Sequence, residues 1–267
     1  MKKVIIILCA VLALPYSMLR AQTADELKLL NACKEEVSAI NSLTLYKKQF
    51  FEGNIKVNDN VTIVDLDEHE YAVLVYYDAE KRIRKRISIG RDSDIRTFSI
   101  WYFGADGHLV CYINYAEGNE GNYRGYLYMN KGKLVYISME VKGFITEQTK
   151  VVEQYGKMPN PDIFSFYKDF PLHTDKISKK ELRFDMKTDK QVRFSTPQNG
   201  DLTVTNIRRA NLRKSPSTDS ERITFIEMGD IVKIEERAGD QWYKISAKGR
   251  AGYIFSEFIE PVEREVK

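Results

Sequence analysis

The chain has 267 residues, 43% of them apolar and 12% aromatic, enough for a buried core plus a second small domain and too apolar for a disordered protein. Its 41 basic and 38 acidic residues give a formal charge of +3, but Lys2, Lys3 and Arg20 stand in an acid-free N-terminal stretch, so the remainder balances at 38 against 38. A balanced chain has no global field to draw nucleic acid or an anionic membrane, which leaves only a local patch for either.

Met1 to Ala21 reads as a secretory signal, with Lys2 and Lys3 as its positive start, Val4 to Leu14 as its apolar run and Leu19-Arg20-Ala21 as its cleavage site. The mature chain is expected to begin at Gln22 and to lie outside the cytoplasm, in the periplasm or beyond the cell. The apolar run is too short for an ordinary spanning helix and none follows, so no integral membrane segment is expected after cleavage. Cys9, directly after Leu8, sits too early to be an acylated anchor. Cys33 and Cys111 survive cleavage, and their spacing leaves open whether they pair or stay as two buried thiols.

Thr23 to about Phe51 reads as a helix, capped by Thr23 with Glu26 three residues on, and carrying the stripe Leu27, Leu30, Cys33 or Lys34, Val37 and Ile40. The stripe is expected to dock on the sheet that follows. The acidic run Asp65 to Glu70 around His69 reads as a solvated turn, because it lacks the spaced oxygen ligands of a calcium loop.

From Tyr71 to Val141 the pattern turns to period two, in the runs Tyr71-Val73-Val75, Ile83-Lys85-Ile87-Ile89, Phe98-Ile100-Tyr102, Leu109-Cys111-Ile113-Tyr115 and Leu134-Tyr136-Ser138. Short turns at Asp78–Lys81, Gly104–Gly107 and Asn130–Lys133 predict an antiparallel meander, a hairpin repeated at loosely similar spacing without the fixed period of a solenoid or propeller. Trp101 and Phe103 fall opposite Ile100 and Tyr102, so both faces carry aromatics and one is expected to take the first helix. The many tyrosines of this stretch suit a half-buried sheet, and also an aromatic face for a glycan or peptide. The basic run Lys81 to Arg86 reads as the solvent face of a strand.

Phe144 to Tyr155 fits a strand or a short helix, Pro159-Asn160-Pro161 breaks the chain, and Asp162 to Phe170 reads as a helix with Ile163, Phe166, Tyr167 and Phe170 on one side. Lys179 to Gln191 reads as strand. Thr196 to Gly200 has the composition of a linker and marks the domain boundary. The expected organisation is therefore a signal over 1–21, a helix-plus-meander domain over 22–195, a linker over 196–200, a small β domain over 201–262 and a tail over 263–267.

In Asp201 to Pro261, alternation in Leu202–Thr205 and Ile231–Ile234, with turns at Ser215-Pro216-Ser217, Met228-Gly229-Asp230, Ala238-Gly239-Asp240 and Lys248-Gly249-Arg250, predicts several short strands and a small barrel. The stretch contains Asn211-Leu212-Arg213-Lys214-Ser215-Pro216-Ser217-Thr218, then Gly229-Asp230-Ile231-Val232-Lys233-Ile234, Gly239-Asp240-Gln241-Trp242-Tyr243-Lys244-Ile245, and Gly249-Arg250-Ala251-Gly252-Tyr253-Ile254 followed by Phe258-Ile259. In this order and spacing it resembles the bacterial SH3-like domains of secreted and cell-wall proteins. Ser215 stands where that family usually has Gly before Pro, and Tyr253 where Trp is commoner. The resemblance implies an SH3-like barrel, a place at the envelope, and recognition of a peptidoglycan peptide or a protein. It also implies a ligand groove with Trp242, Tyr243, Tyr253 and Phe255 as its aromatics and Arg213, Asp219 and Asp240 as its loop residues. Parity requires some of these aromatics to be core, and leaves Trp242 open between surface and core.

Catalytic signatures do not emerge. Cys33 lies inside its helix without a cysteine-peptidase context, and His69, His108 and His173 occupy three unrelated contexts with no metal-ligand spacing. No phosphate loop, serine elbow or singled-out carboxylate pair is present. The fold class expected is α+β, mainly β: an N-terminal helix and antiparallel meander followed by a small SH3-like barrel. The function expected is that of an exported, non-enzymatic binding or scaffold protein without metal or cofactor. The alternative is a cell-wall hydrolase whose catalytic site lies unrecognised in the N-terminal domain.

Overall fold

The computed structural model describes residues 24–52, 71–92, 95–118, 121–142, 172–177, 184–207 and 209–266. The expected leader, the Thr23 cap, the acidic run Asp65–Glu70, the segment Phe144–Tyr155, the helix Asp162–Phe170 and the start of the strand expected from Lys179 lie outside these residues.

Helix α1 (Ala24–Ser42) has Asp25 and Glu26 in its first turn, where acidic groups favour the helix dipole, and it buries Leu30, Cys33 and Ile40. Leu27, expected in the stripe, is 49% exposed. The helix is shorter than expected. Thr44–Glu52 is a strand, β1, rich in the β-branched and aromatic types that fit a pleated surface, and it buries Leu45 completely.

The meander follows as β2 (Tyr71–Tyr77), β3 (Ile83–Asp92), β4 (Ile95–Phe103), β5 (Leu109–Gly118), β6 (Gly121–Asn130) and β7 (Lys133–Lys142), each pairing antiparallel with the next. Of these, β6 was absent from the period-two runs, since Gly121 and Gly125 interrupt its apolar positions. β8 (Lys190–Ser195) adds on the far side of β1, while the expected strand across Asp185–Asp189 is a turn: Asp185 Oδ1 accepts the Lys187 amide and Asp189 Oδ2 the Asp185 amide. Cys33 and Cys111 are both free and buried.

Each of the hairpins β2–β3, β4–β5 and β6–β7 carries a register shift within two pairs of its turn, at Tyr76/Tyr77, Tyr102/Phe103 and Tyr128/Met129. Tyr76, Tyr102 and Tyr128 are thus equivalent, and they follow one another at intervals of 26 residues, a regular repeat where the sequence reading saw only loose spacing. The shift also corrects the basic run. Because Tyr77 faces Ile83 and Tyr76 faces Lys85, Arg84 is the extra residue of a bulge, and the strand's facing changes there. Ile83 joins Trp101, Phe103 and Leu109 on one face, and Ile87 and Ile89 join Ile100 and Tyr102 on the other. Lys85, expected in solvent, is 1% exposed.

The C-terminal region forms a six-stranded antiparallel sheet from β9 (Leu202–Val204), β10 (Arg209–Arg213), β11 (Arg222–Glu227), β12 (Ile231–Ala238), β13 (Trp242–Ala247) and β14 (Arg250–Phe255), in the order β11-β10-β14-β13-β12-β9. Among the described residues, β11 and β9 end that order without pairing to each other. Leu212, Ile226, Val232, Ile234, Ile245 and Ile254 fill its own core, whereas Val204 and Met228 belong to the core of the large sheet. The stretch expected as a tail carries the last strand, β15 (Val262–Glu265), which pairs antiparallel with β8. The large sheet therefore has nine strands, β15-β8-β1-β2-β3-β4-β5-β6-β7, and the small sheet is inserted between its strands β8 and β15.

Candidate functional site

A cleft of about 550 Å³ lies where α1, the β5–β6 face and the small sheet meet. The size falls in the range of small-ligand sites. Each element delivers its residues by its own periodicity. α1 turns Lys34, Ser38 and Asn41 toward the cleft, and β6 presents Tyr126 and Tyr128 from alternate positions. The small sheet contributes Arg237 and Asp240 from the β12–β13 hairpin, Tyr243 from β13, and Phe258 from the 3-10 turn Ser256–Phe258.

A buried polar cluster forms the base. Glu260, 6% exposed, accepts the Tyr102 hydroxyl at 2.9 Å and the Asn206 amide at 3.1 Å, and lies 3.7 Å from the Lys85 ammonium. Lys85 also donates to Asn41 Oδ1 at 3.2 Å and stands 3.8 Å from the centroid of the Phe194 ring. Burial pushes the Lys85 pKa down, and Glu260 and Glu263 pull it partly back. One strand further on, Glu263 accepts the Tyr76 hydroxyl and the Lys47 ammonium, each at 2.7 Å. Burial, then the adjacent carboxylate, holds the Tyr76 and Tyr102 hydroxyls well above the usual phenol range.

The seven residues implied by the resemblance separate into three groups. Asp240 and Tyr243 line the cleft, although Tyr243, 1% exposed, is mostly core of the small sheet. Trp242 is 8% exposed, its ring stacked on Phe255 at 4.0 Å, and Phe255 meets Phe258 edge-on at 5.7 Å, so this aromatic row leads to the cleft through Phe258. Arg213, Tyr253 and Asp219 lie apart from it: Arg213 pairs with Tyr253 across β10 and β14 and donates to the Ser220 carbonyl at 2.6 Å, and the Asp219 amide donates to Ser217 Oγ. Tyr126, Tyr128, Phe194, Asn41, Asn206 and Glu260 were missed as a group, because five separate stretches supply them and only the repeating tyrosines signalled the face.

His108 and His173, in unrelated sequence contexts, lie side by side in the fold. They form an isolated bridge with ring centroids 4.7 Å apart. Among the described residues, no group of three or more His, Cys, Asp or Glu side chains is placed to hold a metal ion.

The small sheet has the strand order, glycine-marked turns and buried alternation described above, and comparison with protein families agrees with it. Residues 208–260 match the family model of the bacterial SH3 domain. No curated protein and no solved structure gave a match to the chain. The bacterial SH3 module is thus inserted in the chain between two strands of the larger sheet, and the cleft lies on its β12–β13 side rather than at its Ser215–Ser220 loop.

Proposed function

We propose that this chain is an exported, non-enzymatic binding or scaffold protein of the cell envelope, in which the SH3 module recognises a peptidoglycan peptide or a protein ligand. The match over residues 208–260 supports a cell-wall-related binding role. The observation that carries the reading to particular residues is the module's Asp240 and Phe258 opening onto one cleft beside the aromatic row Trp242–Phe255. No helix among the described residues is long and apolar enough to cross a membrane. A hydrolase would need carboxylates ready for proton transfer. Here Glu260, the buried carboxylate of the cleft, is engaged by Tyr102, Asn206 and Lys85, which supports binding over catalysis.

The test is co-sedimentation of the purified chain with peptidoglycan sacculi. Retention is expected, with a severalfold loss in Asp240→Lys and no release of soluble fragments on prolonged incubation. Retention unchanged in the variant would remove Asp240 from the site, and fragment release would replace the binding reading with the hydrolase.

A further inference from the structure

The cleft has a chemistry that the module alone does not supply. We propose that it is an oligosaccharide site shared by the N-terminal sheet and the SH3 module. A pyranose ring offers a C–H face that packs on an aromatic ring and a rim of hydroxyls that need neutral donors and acceptors. Both are present. Tyr126 and Phe258, each half-buried, stand on the N-terminal and module walls respectively. Between them the lining is rich in hydroxyl and amide groups: Ser38 and Asn41 of α1, Ser195 and Thr196 after β8, Asn206 and Ser256 of the module.

The charged groups favour an uncharged ligand. Arg237 faces Asp240 within the protein, and Glu260 is held by Tyr102, Asn206 and Lys85, so two of the cleft's three carboxylates already have cationic partners. The exposed Arg237–Asp240 pair offers little competition, but a ligand with a strong net charge would have to disturb the buried Lys85–Glu260 pair, whereas a neutral sugar leaves it intact and uses the remaining hydrogen-bonding capacity. The base is also held in place beforehand. Asn41 Oδ1 is held by the Lys85 ammonium, and the Thr203 hydroxyl fixes the Glu260 carbonyl at 2.7 Å, so little ordering is left for the ligand to induce.

This goes beyond peptide or protein recognition by the module, because it requires residues of both halves. The experiment is isothermal titration of the purified chain with the β-1,4-linked tetrasaccharide of N-acetylglucosamine, and in parallel with a peptidoglycan stem peptide. Saturable tetrasaccharide binding is expected, weakened roughly tenfold by Tyr126→Ala from the sheet and by Phe258→Ala from the module. Ser38→Arg is the variant that keeps the test decisive: Ser38 is exposed on α1, so the change should leave the unfolding temperature unaltered while its side chain fills the cleft. Lys187→Ala, in an exposed turn away from the cleft, should bind as the parent does. Stem-peptide binding without tetrasaccharide binding overturns the glycan site and leaves the peptide reading standing. Tetrasaccharide binding without stem-peptide or sacculus binding sinks that peptide reading and upholds the glycan site. Tetrasaccharide binding undiminished in Ser38→Arg places the sugar elsewhere and overturns the proposal.

Discussion

Lys85 and Glu260 join distant parts of the chain through a charge pair inside the core, with side chains 1% and 8% exposed. Removing one partner strands the other without compensation. Lys85→Met is therefore expected to cost about 3–5 kcal/mol in urea unfolding, and adding Glu260→Gln should recover much of that, because Gln can still accept from Tyr102. Asp189 gives a prediction of different sign. Burial pushes its carboxyl up, but the Tyr77 hydroxyl at 2.7 Å, the Asp185 amide and Lys48 outweigh this and leave it below the ordinary value. A depressed carboxyl stabilises the fold above its unfolded pKa of about 3.9, and that stability is lost as pH falls through the folded value. Melting temperature measured against pH should accordingly fall less steeply below about pH 4 in Asp189→Asn than in the parent. Lys85 itself could not be read from the sequence, since the Arg84 bulge that turns it inward leaves no mark in a run of basic residues.

Gly229 and Gly239 compare two turns of the module at nearly the same backbone angle, φ +78° and +72°. A Cβ on Gly239 meets nothing within 4 Å, while one on Gly229 would come within 2.8 Å of the Tyr115 ring of β5. Gly239→Ala should cost only the left-handed backbone strain, about 1–2 kcal/mol, and Gly229→Ala clearly more, the difference measuring how tightly the turn is seated on the sheet. At this scale the hairpins β2–β3 and β4–β5 were legible, because alternating apolar residues and short turns specify them locally. β1 was read into the helix and β15 into a tail, for one reason: Thr44–Glu52 and Val-Glu-Arg-Glu are not specified by their own pattern but by partners far away in sequence. Glu263 looks like any solvated acid until Tyr76 and Lys47 are placed against it. Removing residues 262–267 should leave Tyr76 and Lys47 without those bonds and lower stability by at least about 2 kcal/mol in thermal or urea unfolding.

The whole molecule carries one tryptophan in each half, Trp101 in the large sheet and Trp242 in the module. Trp101→Phe and Trp242→Phe thus give two single-tryptophan chains whose fluorescence reports each half separately. Coincident transitions are expected, since Val204 and Met228 of the module sit in the core of the large sheet and Glu260 spans both. Two separated midpoints would show that the halves unfold independently. The cleft belongs to this scale as well, and for that reason it was the least legible feature: the SH3-like pattern identified the module, whereas the composite site depends on where an inserted domain comes to rest.

That insertion has a mechanical consequence. A module on a single tether hands any pull on its ligand to one strand end, and hydrogen bonds then open one after another. Here the chain leaves through the C-terminal end of β8 and returns through the N-terminal end of antiparallel β15, so a pull on the module draws both strands in the same direction. They do not slide against each other. The load passes instead to the β8–β1 ladder, from Thr44–Arg193 to Lys47–Lys190, along the strand axis and across bonds that must yield together. If the proposed wall ligand is held under tension, such an attachment would share the load across the ladder rather than concentrate it at one end.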